Sequence, residues 1–299
     1  METSSILMQQ IINGLSLGSI YALIALGYTM VYGIVLLLNF AHGDILMVGA
    51  YAAYFVLSSF GTNPLAMVIA FLVAVFFCVI VALIMERFAY KPLRDAPRIN
   101  SLITAIGVSL ILENGARVLP FMGPNPRQFP VLDTVNIQFG FFSITNIQLI
   151  VLVTSIICMI GLNIIVNYTK TGKAMRAVSF DMKAASLMGI SVDKTIAFTF
   201  GIGAVLAGVG GVLYASAYPQ IDPLMGMMPG LKAFVAAVLG GIGSIPGAMI
   251  GGYILGIAET MTKGYLSSQF ADAISFSILI IILLFKPTGI MGKKINKKV

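Results

Sequence analysis

Apolar and polar positions in this chain alternate in long blocks. Residues 11–32, 65–85, 147–166, 196–217 and 273–285 are almost wholly apolar, and 45–60 and 99–112 are shorter runs of the same kind. About 20 consecutive apolar residues cross a hydrocarbon core, so the blocks predict membrane-spanning helices. One polar island, Asn39-Phe40-Ala41-His42-Gly43-Asp44, interrupts the N-terminal third. It holds the only acid between residues 10 and 85 and the chain's only histidine, and no Lys or Arg precedes Arg87. An ionisable side chain at membrane depth is costly and usually faces a bundle interior or a pathway. Asn39, His42 and Asp44 are therefore candidate pathway residues.

Composition agrees with the pattern. Hydrophobic residues make up 59% of the chain and charged residues 10%, with mean hydropathy +0.99. Soluble domains carry about 25% charged residues, which excludes a water-soluble fold and predicts an all-α, polytopic integral membrane protein. The net charge of +7 does not point to nucleic acid, because the basic residues cluster. Arg87, Lys91, Arg94 and Arg98 share one loop, and Lys170, Lys173, Arg176, Lys183 and Lys194 a second. Lys286, Lys293, Lys294, Lys297 and Lys298 form a tail. Excess Lys and Arg mark cytoplasmic loops, so these segments define the inner face, with membrane lipid as their contact and the C-terminus cytoplasmic. Cys78 and Cys158 lie inside apolar runs, where a thiol acts as a small hydrophobe, and predict no disulfide. No metal-ligand cluster and no nucleophile–base set is apparent, so neither a metal site nor catalytic residues are expected. The first twelve residues lack a basic region and no cleavage site follows, so 11–32 reads as the first membrane helix.

With three inner segments fixed, crossings between them come in pairs. Residues 99–119 go out and 147–166 return, leaving 120–146 as an outer loop whose prolines favour extended backbone. Further on, 196–217 goes out and 273–285 returns, so the apolar stretch 231–261 cannot be a single crossing. It is interrupted by Leu239-Gly240-Gly241-Ile242-Gly243-Ser244-Ile245-Pro246-Gly247. Glycine favours irregular turns and proline removes a donor, so a helix pair that dips in and returns is expected. About eight membrane segments result, some broken or re-entrant, in one membrane domain of two halves, 1–146 and 147–299. Parity with a broken second segment puts residues 1–10 inside. The breaks at Asn39–Asp44 and Gly240–Gly247 are followed by Gly49-Ala50-Tyr51 and Gly251-Gly252-Tyr253. Paired interruptions of this kind point to an internal repeat around a midplane pathway; glycine used for close helix packing is the competing account. Gly43, Gly240, Gly241, Gly243, Pro246 and Gly247 are the expected broken-helix elements.

The inner loop 169–195 contains Asp181-Met182-Lys183-Ala184-Ala185-Ser186-Leu187-Met188-Gly189. Asp181 suits an N-cap and Gly189 a C′ position, predicting a helix of about two turns between them. Met175, Val178, Met182 and Ala185 recur at three- and four-residue spacing and make an apolar stripe. Such a helix either docks in a groove on another protein or rests on lipid. Ala184-Ala185, three residues, then Gly189 resembles the coupling loop of ABC-importer permeases, with Lys183 in place of the usual Glu. Taken with Leu38–Asp44 and Ala237-Val238-Leu239-Gly240-Gly241-Ile242-Gly243-Ser244, nearly the whole chain is similar to the shorter, H-type permeases of branched-chain amino acid ABC transporters. The resemblance implies a heteromeric importer in a bacterial or archaeal cytoplasmic membrane. A second homologous permease, two ABC ATPase subunits and an extracytoplasmic protein delivering Leu, Ile or Val would complete it. Asp181, Lys183, Ala184, Ala185 and Gly189 would couple to the ATPases, and a bulky charge at Ala185 would uncouple transport. ATP and magnesium would sit on those partners and no cofactor on this chain. The sequence agrees independently: Gly172-Lys173-Ala174 lacks the flanking residues of a Walker A loop.

Other charged residues carry simpler expectations. Asp44 either caps the helix 45–60 or lies beside a helix N-terminus that meets a passing carboxylate. Glu113 and Arg117 are spaced for a salt bridge, and Arg127 is an exposed outer residue. Lys232 is expected to snorkel outward. Glu259, in a glycine-rich apolar segment, must be paired or solvated and is a further pathway candidate. The same machine could carry urea, amides, sugars or nucleosides. An ion-coupled secondary transporter using Asp44, His42 and Glu259 is the alternative from another class.

Overall fold

The computed structural model describes residues 2–35, 39–94, 96–139 and 142–292. Leu38 and the tail lysines Lys293, Lys294, Lys297 and Lys298 lie outside the described residues. In chain order the helices are α1 (Glu2–Val35), α2 (His42–Phe60), α3 (Pro64–Met85), α4 (Arg98–Val118), α5 (Asn146–Tyr168), α6 (Lys170–Phe180), α7 (Met182–Leu187), α8 (Val192–Ala217), α9 (Met227–Gly240), α10 (Ile245–Tyr265) and α11 (Phe270–Phe285). A π-helical turn, Glu86–Tyr90, and a 3-10 turn, Lys91–Leu93, follow α3. Among the described residues, six helices, α1 to α5 and α8, are long and apolar enough to cross a membrane. The 21-residue α10 and 16-residue α11 run beside them, giving the eight segments expected, with α9 as a shorter ninth.

Two ends of the bundle are chemically distinct. At the basic end, Asp193 at the start of α8 bonds Lys91 and Arg94, each at 2.5 Å, and Arg94 also pairs with Glu86. At the opposite, hairpin end lie the strands β1 (Arg127–Gln128), β2 (Asn136–Phe139), β3 (Phe142–Thr145) and β4 (Gln220–Ile221). The second pairs antiparallel with the third, and the first with the fourth, Arg127 opposite Ile221. The proline-rich segment was expected to be extended, and this is where it pairs.

α1 begins at the hairpin end. Gln9 donates to the Ser143 carbonyl and accepts from the Ser143 amide, both at 3.0 Å. This reverses the parity expectation for residues 1–10. α2 does not start at the basic end but inside the bundle, then runs to the hairpin end, where Arg127 lies 5.7 Å over the Tyr54 ring. α1 and α2 together thus make one descent and one return.

The core is built on α1 and α8. α1 packs on α8, α9 and α10; α8 packs on α1, α2 and α3. The triples α1–α3 and α8–α10 therefore match: a long helix, a break, a helix starting inside the bundle, a tight turn, then a full-length helix. They run in opposite senses. The partner of the Asn39–Ala41 break is residues 218–226, not the glycine-rich segment at 240–247. That segment is a tight turn, with Gly241 and Gly243 at φ +106 and +93, and it matches the turn at Gly61 (φ +78) between α2 and α3. Ser244 caps α10 by accepting from the Gly247 amide at 3.2 Å, and Pro246 occupies its first turn. After α11, the chain at Ile290 and Met291 donates to the carbonyls of Leu239 and Gly240, both at 2.9 Å, satisfying the end of α9.

Candidate functional site

The two breaks meet. Gly43, in the first turn of α2, lies so close to Gly226 and Gly230 that a Cβ on Gly43 would stand 2.5 Å from the Gly226 carbonyl oxygen and 3.1 Å from Gly230 Cα. The starts of two helices from opposite halves thus abut through bare backbone. Non-helical backbone at membrane depth persists only where protein or a water-filled cavity surrounds it, and here neighbouring side chains supply the surroundings. Asn39 Oδ1 accepts from the Tyr90 hydroxyl at 2.8 Å, tying the break to the turn after α3. His42, 2% exposed, stands edge-on to Tyr28 with ring centres 4.9 Å apart. Its Nε2 has no hydrogen-bond partner among the described residues, and it sits against Gly27 of α1 and Gly203 of α8. That position is internal to the bundle, a wedge between the two long helices.

Asp44 is not the cap of α2. The helix starts at His42, its N-cap is Ala41, and no side chain caps it. Asp44 instead lines a groove of about 310 Å³ between α2, α4 and α9, together with Tyr28, Phe40, Ser109, Glu113, Met227 and Leu231. Asp44 and Glu113 are 2% and 4% exposed, and Ser109 and Glu113 are the polar side chains facing Asp44. The expected Glu113–Arg117 bridge is absent: Arg117 lies on the exposed face of α4 and reaches Asn114 Oδ1 at 3.5 Å. One helical turn separates the two side chains, but Glu113 turns inward to the groove.

Glu259 belongs elsewhere. Its Oε1 accepts from Lys232 at 2.8 Å and from Lys263 at 2.6 Å, and its Oε2 from the Tyr21 hydroxyl at 2.8 Å. Lys232 also pairs with Asp272 at 2.7 Å. Lys232 is 6% exposed, so it does not snorkel outward; burial is tolerated because two carboxylates compensate its charge. The network joins α1, α9, α10 and α11, and Tyr21 lies two turns along α1 from Tyr28. Glu259 is thus paired, as required, but not brought to the groove that holds Asp44.

In the loop 169–195, Asp181 caps α7, its Oδ1 accepting from the amides of Lys183 and Ala184 at 2.8 and 2.9 Å. Gly189 has φ +82, and the amides of Gly189 and Ile190 reach the carbonyls of Ser186 and Ala185, both at 3.0 Å, a Schellman ending. Met175, Val178 and Ala185 are buried, as the stripe predicts, although the segment is two helices rather than one. The buried Ala185 faces its own chain. Phe180, Leu187 and Met188 are the projecting apolar groups, 90%, 89% and 82% exposed.

The family profile described as "Branched-chain amino acid transport system / permease component" matches residues 10–283. The high-affinity branched-chain amino acid transport permease LivH of Salmonella typhimurium is 44% identical over 303 residues, covering 98% of this chain and 97% of that protein. The chain belongs to this permease family. BraD of Pseudomonas aeruginosa, a permease of the same description, is 42% identical, covering 98% of each chain. The probable LivH of Methanocaldococcus jannaschii is 34% identical over 92% of this chain and 89% of its own length. No solved structure matches.

Within this permease, the sequence singled out Asn39, His42 and Asp44 as candidates, and it did not reveal Glu113 as the neighbour of Asp44. The helical spacing of Glu113 to Arg117 suggested a local pair, and nothing in the sequence registers which face of α4 turns inward. It also did not reveal Gly226, whose closeness to Gly43 depends on the crossing of α2 and α9. Asn39, His42, Gly43 and Asp44 share one region; Gly240, Gly241, Gly243, Pro246 and Gly247 form the turn at the far end of α9; Asp181 to Gly189 form the projecting helix.

Proposed function

We propose that this chain is the membrane permease subunit of an ATP-driven importer for leucine, isoleucine and valine, with the pathway passing the contact of the two breaks. Near-full-length similarity to permeases named for that transport carries the reading; the geometry adds two helices that start inside the bundle, a form suited to a midplane pathway. Its setting is the cytoplasmic membrane of a bacterial or archaeal cell, the basic end and the C-terminus facing the cytoplasm and the hairpin end facing the substrate-binding protein. A second homologous permease completes the pore. ATP and magnesium belong to two partner ATPases, which grip α6 and α7 while this chain holds no cofactor. Driven motion of α7 reaches α8 through the short link after Gly189, and the helices meeting at Gly43 and Gly226 open alternately to each side.

The gripping residues in this reading are Phe180, Leu187 and Met188, with Asp181 and Gly189 shaping the helix. Ala185 is a poor test position, because a bulky charge there would break the helix's own packing. Replacing Leu187 and Met188 together with aspartate should abolish ATP-dependent leucine uptake in proteoliposomes and release the ATPases during purification in mild detergent, while membrane insertion is unchanged. Uptake at the parent rate would rule out the docking role.

A further inference from the structure

We propose that Asp44, Glu113 and Ser109 form a receptor for the ammonium group of the amino acid in transit. The inference rests on the transport reading above and deepens it by assigning one end of the cargo to named atoms. Two carboxyl groups from different helices, α2 and α4, face each other in a groove walled by Tyr28, Phe40, Met227 and Leu231. Neither takes part in an ion pair among the described residues, whereas the buried Glu86 and Glu259 do. Asp44 Oδ2 is buried with no hydrogen-bond partner among the described residues. Asp44 has Ser109 and Glu113 beside it but no cation, and a buried carboxylate with an oxygen left unpaired and no opposite charge is costly, so the groove is built for a cation that visits.

The kind of cation follows from the acceptors. Two carboxylates and one hydroxyl present three acceptor groups, the number of N–H donors on an ammonium. A resident divalent ion fits less well: hard cations take about six to eight oxygen ligands, and no group of three or more metal-binding side chains occurs among the described residues. The volume, about 310 Å³, is at the low end of the range of roughly 300–1,000 Å³ for small-ligand sites, which suits one free amino acid. With the ammonium at Asp44 and Glu113, a branched apolar side chain lies against Phe40, Met227 and Leu231. The site then recognises the ammonium that all α-amino acids share, and the apolar walls meet the side chain without directional bonds.

The test uses the complete importer reconstituted with its partners. Asp44→Asn and Glu113→Gln are each expected to reduce ATP-dependent leucine uptake at least tenfold with the assembly intact on gel filtration, and Glu113→Asp to restore part of it. Uptake within twofold of the parent in both variants overturns the proposal while leaving the transport reading standing. A parent complex that takes up none of the three amino acids overturns the transport reading itself, and the proposal with it. Labelling keeps the proposal testable should the variants fail to assemble. In a Met227→Cys complex with native carboxylates, isoamylamine (the leucine skeleton with its ammonium but no carboxylate) should slow maleimide labelling of the new thiol at least threefold. Isocaproate, which keeps the carboxylate and lacks the ammonium, should not. Equal protection by the two compounds, or none by either, overturns the assignment.

Discussion

Replacing Glu259 with leucine should destabilise the fold by about 3–5 kcal/mol, the usual cost of breaking a buried ion pair from one side. This carboxylate is 1% exposed and serves Lys232, Lys263 and Tyr21 at once. Removing it leaves Lys232 with the half-exposed Asp272 alone and strands a buried tyrosine hydroxyl. The measurement is the temperature at which half of the detergent-solubilised protein survives heating on gel filtration, which should fall sharply. Adding Lys232→Met to Glu259→Leu should recover much of the loss, because the pair is then replaced by apolar atoms of similar size. A single variant as heat-resistant as the parent would show that the network contributes nothing.

The second large effect is expected at the meeting point of the breaks. Gly43→Val puts a branched side chain where even a Cβ would stand 2.5 Å from the Gly226 carbonyl oxygen. That oxygen belongs to backbone and cannot rotate away, so α2 and α9 must separate. Overpacking of this kind costs about 1–3 kcal/mol, and leucine uptake should fall by more than the stability loss explains. Gly226→Val should behave alike. Gly161→Ala on α5, where a Cβ meets nothing within 4 Å, is the control and should leave heat resistance and uptake unchanged. If Gly43→Val transports normally, the contact of the two breaks is not part of the pathway.

Local features were legible in the sequence because their causes are local. Apolar run length placed the membrane helices; Asp181 and Gly189 bounded a helix through a cap and a left-handed residue; the glycine-rich turn before α10 fell where expected. Features that depend on crossing geometry were not legible. Lys232 looked like a snorkelling residue because its partner Glu259 is 27 positions away and on another helix. Asp44 looked like a cap because it precedes an apolar run, yet the helix begins two residues earlier and turns its carboxylate toward α4. The repeat was suggested by two interruptions, each followed by a glycine-containing signature, Gly49-Ala50-Tyr51 and Gly251-Gly252-Tyr253, but glycine marks both tight turns and close backbone approach. Only the directions of α1–α3 and α8–α10 reveal that residues 218–226 are the counterpart of Asn39–Ala41.

The strap formed by Ile290 and Met291 bears on how the protein is made. The carbonyls of Leu239 and Gly240 stay without these amide partners until translation has passed Met291, some fifty positions after α9 itself. One end of α9 rests on Gly43 and the other waits for this late clasp, so the joint between the halves locks only near the finish of synthesis. Nascent chains arrested before Lys286 should therefore expose the turn at Gly241 to protease, and chains released after Gly292 should shield it.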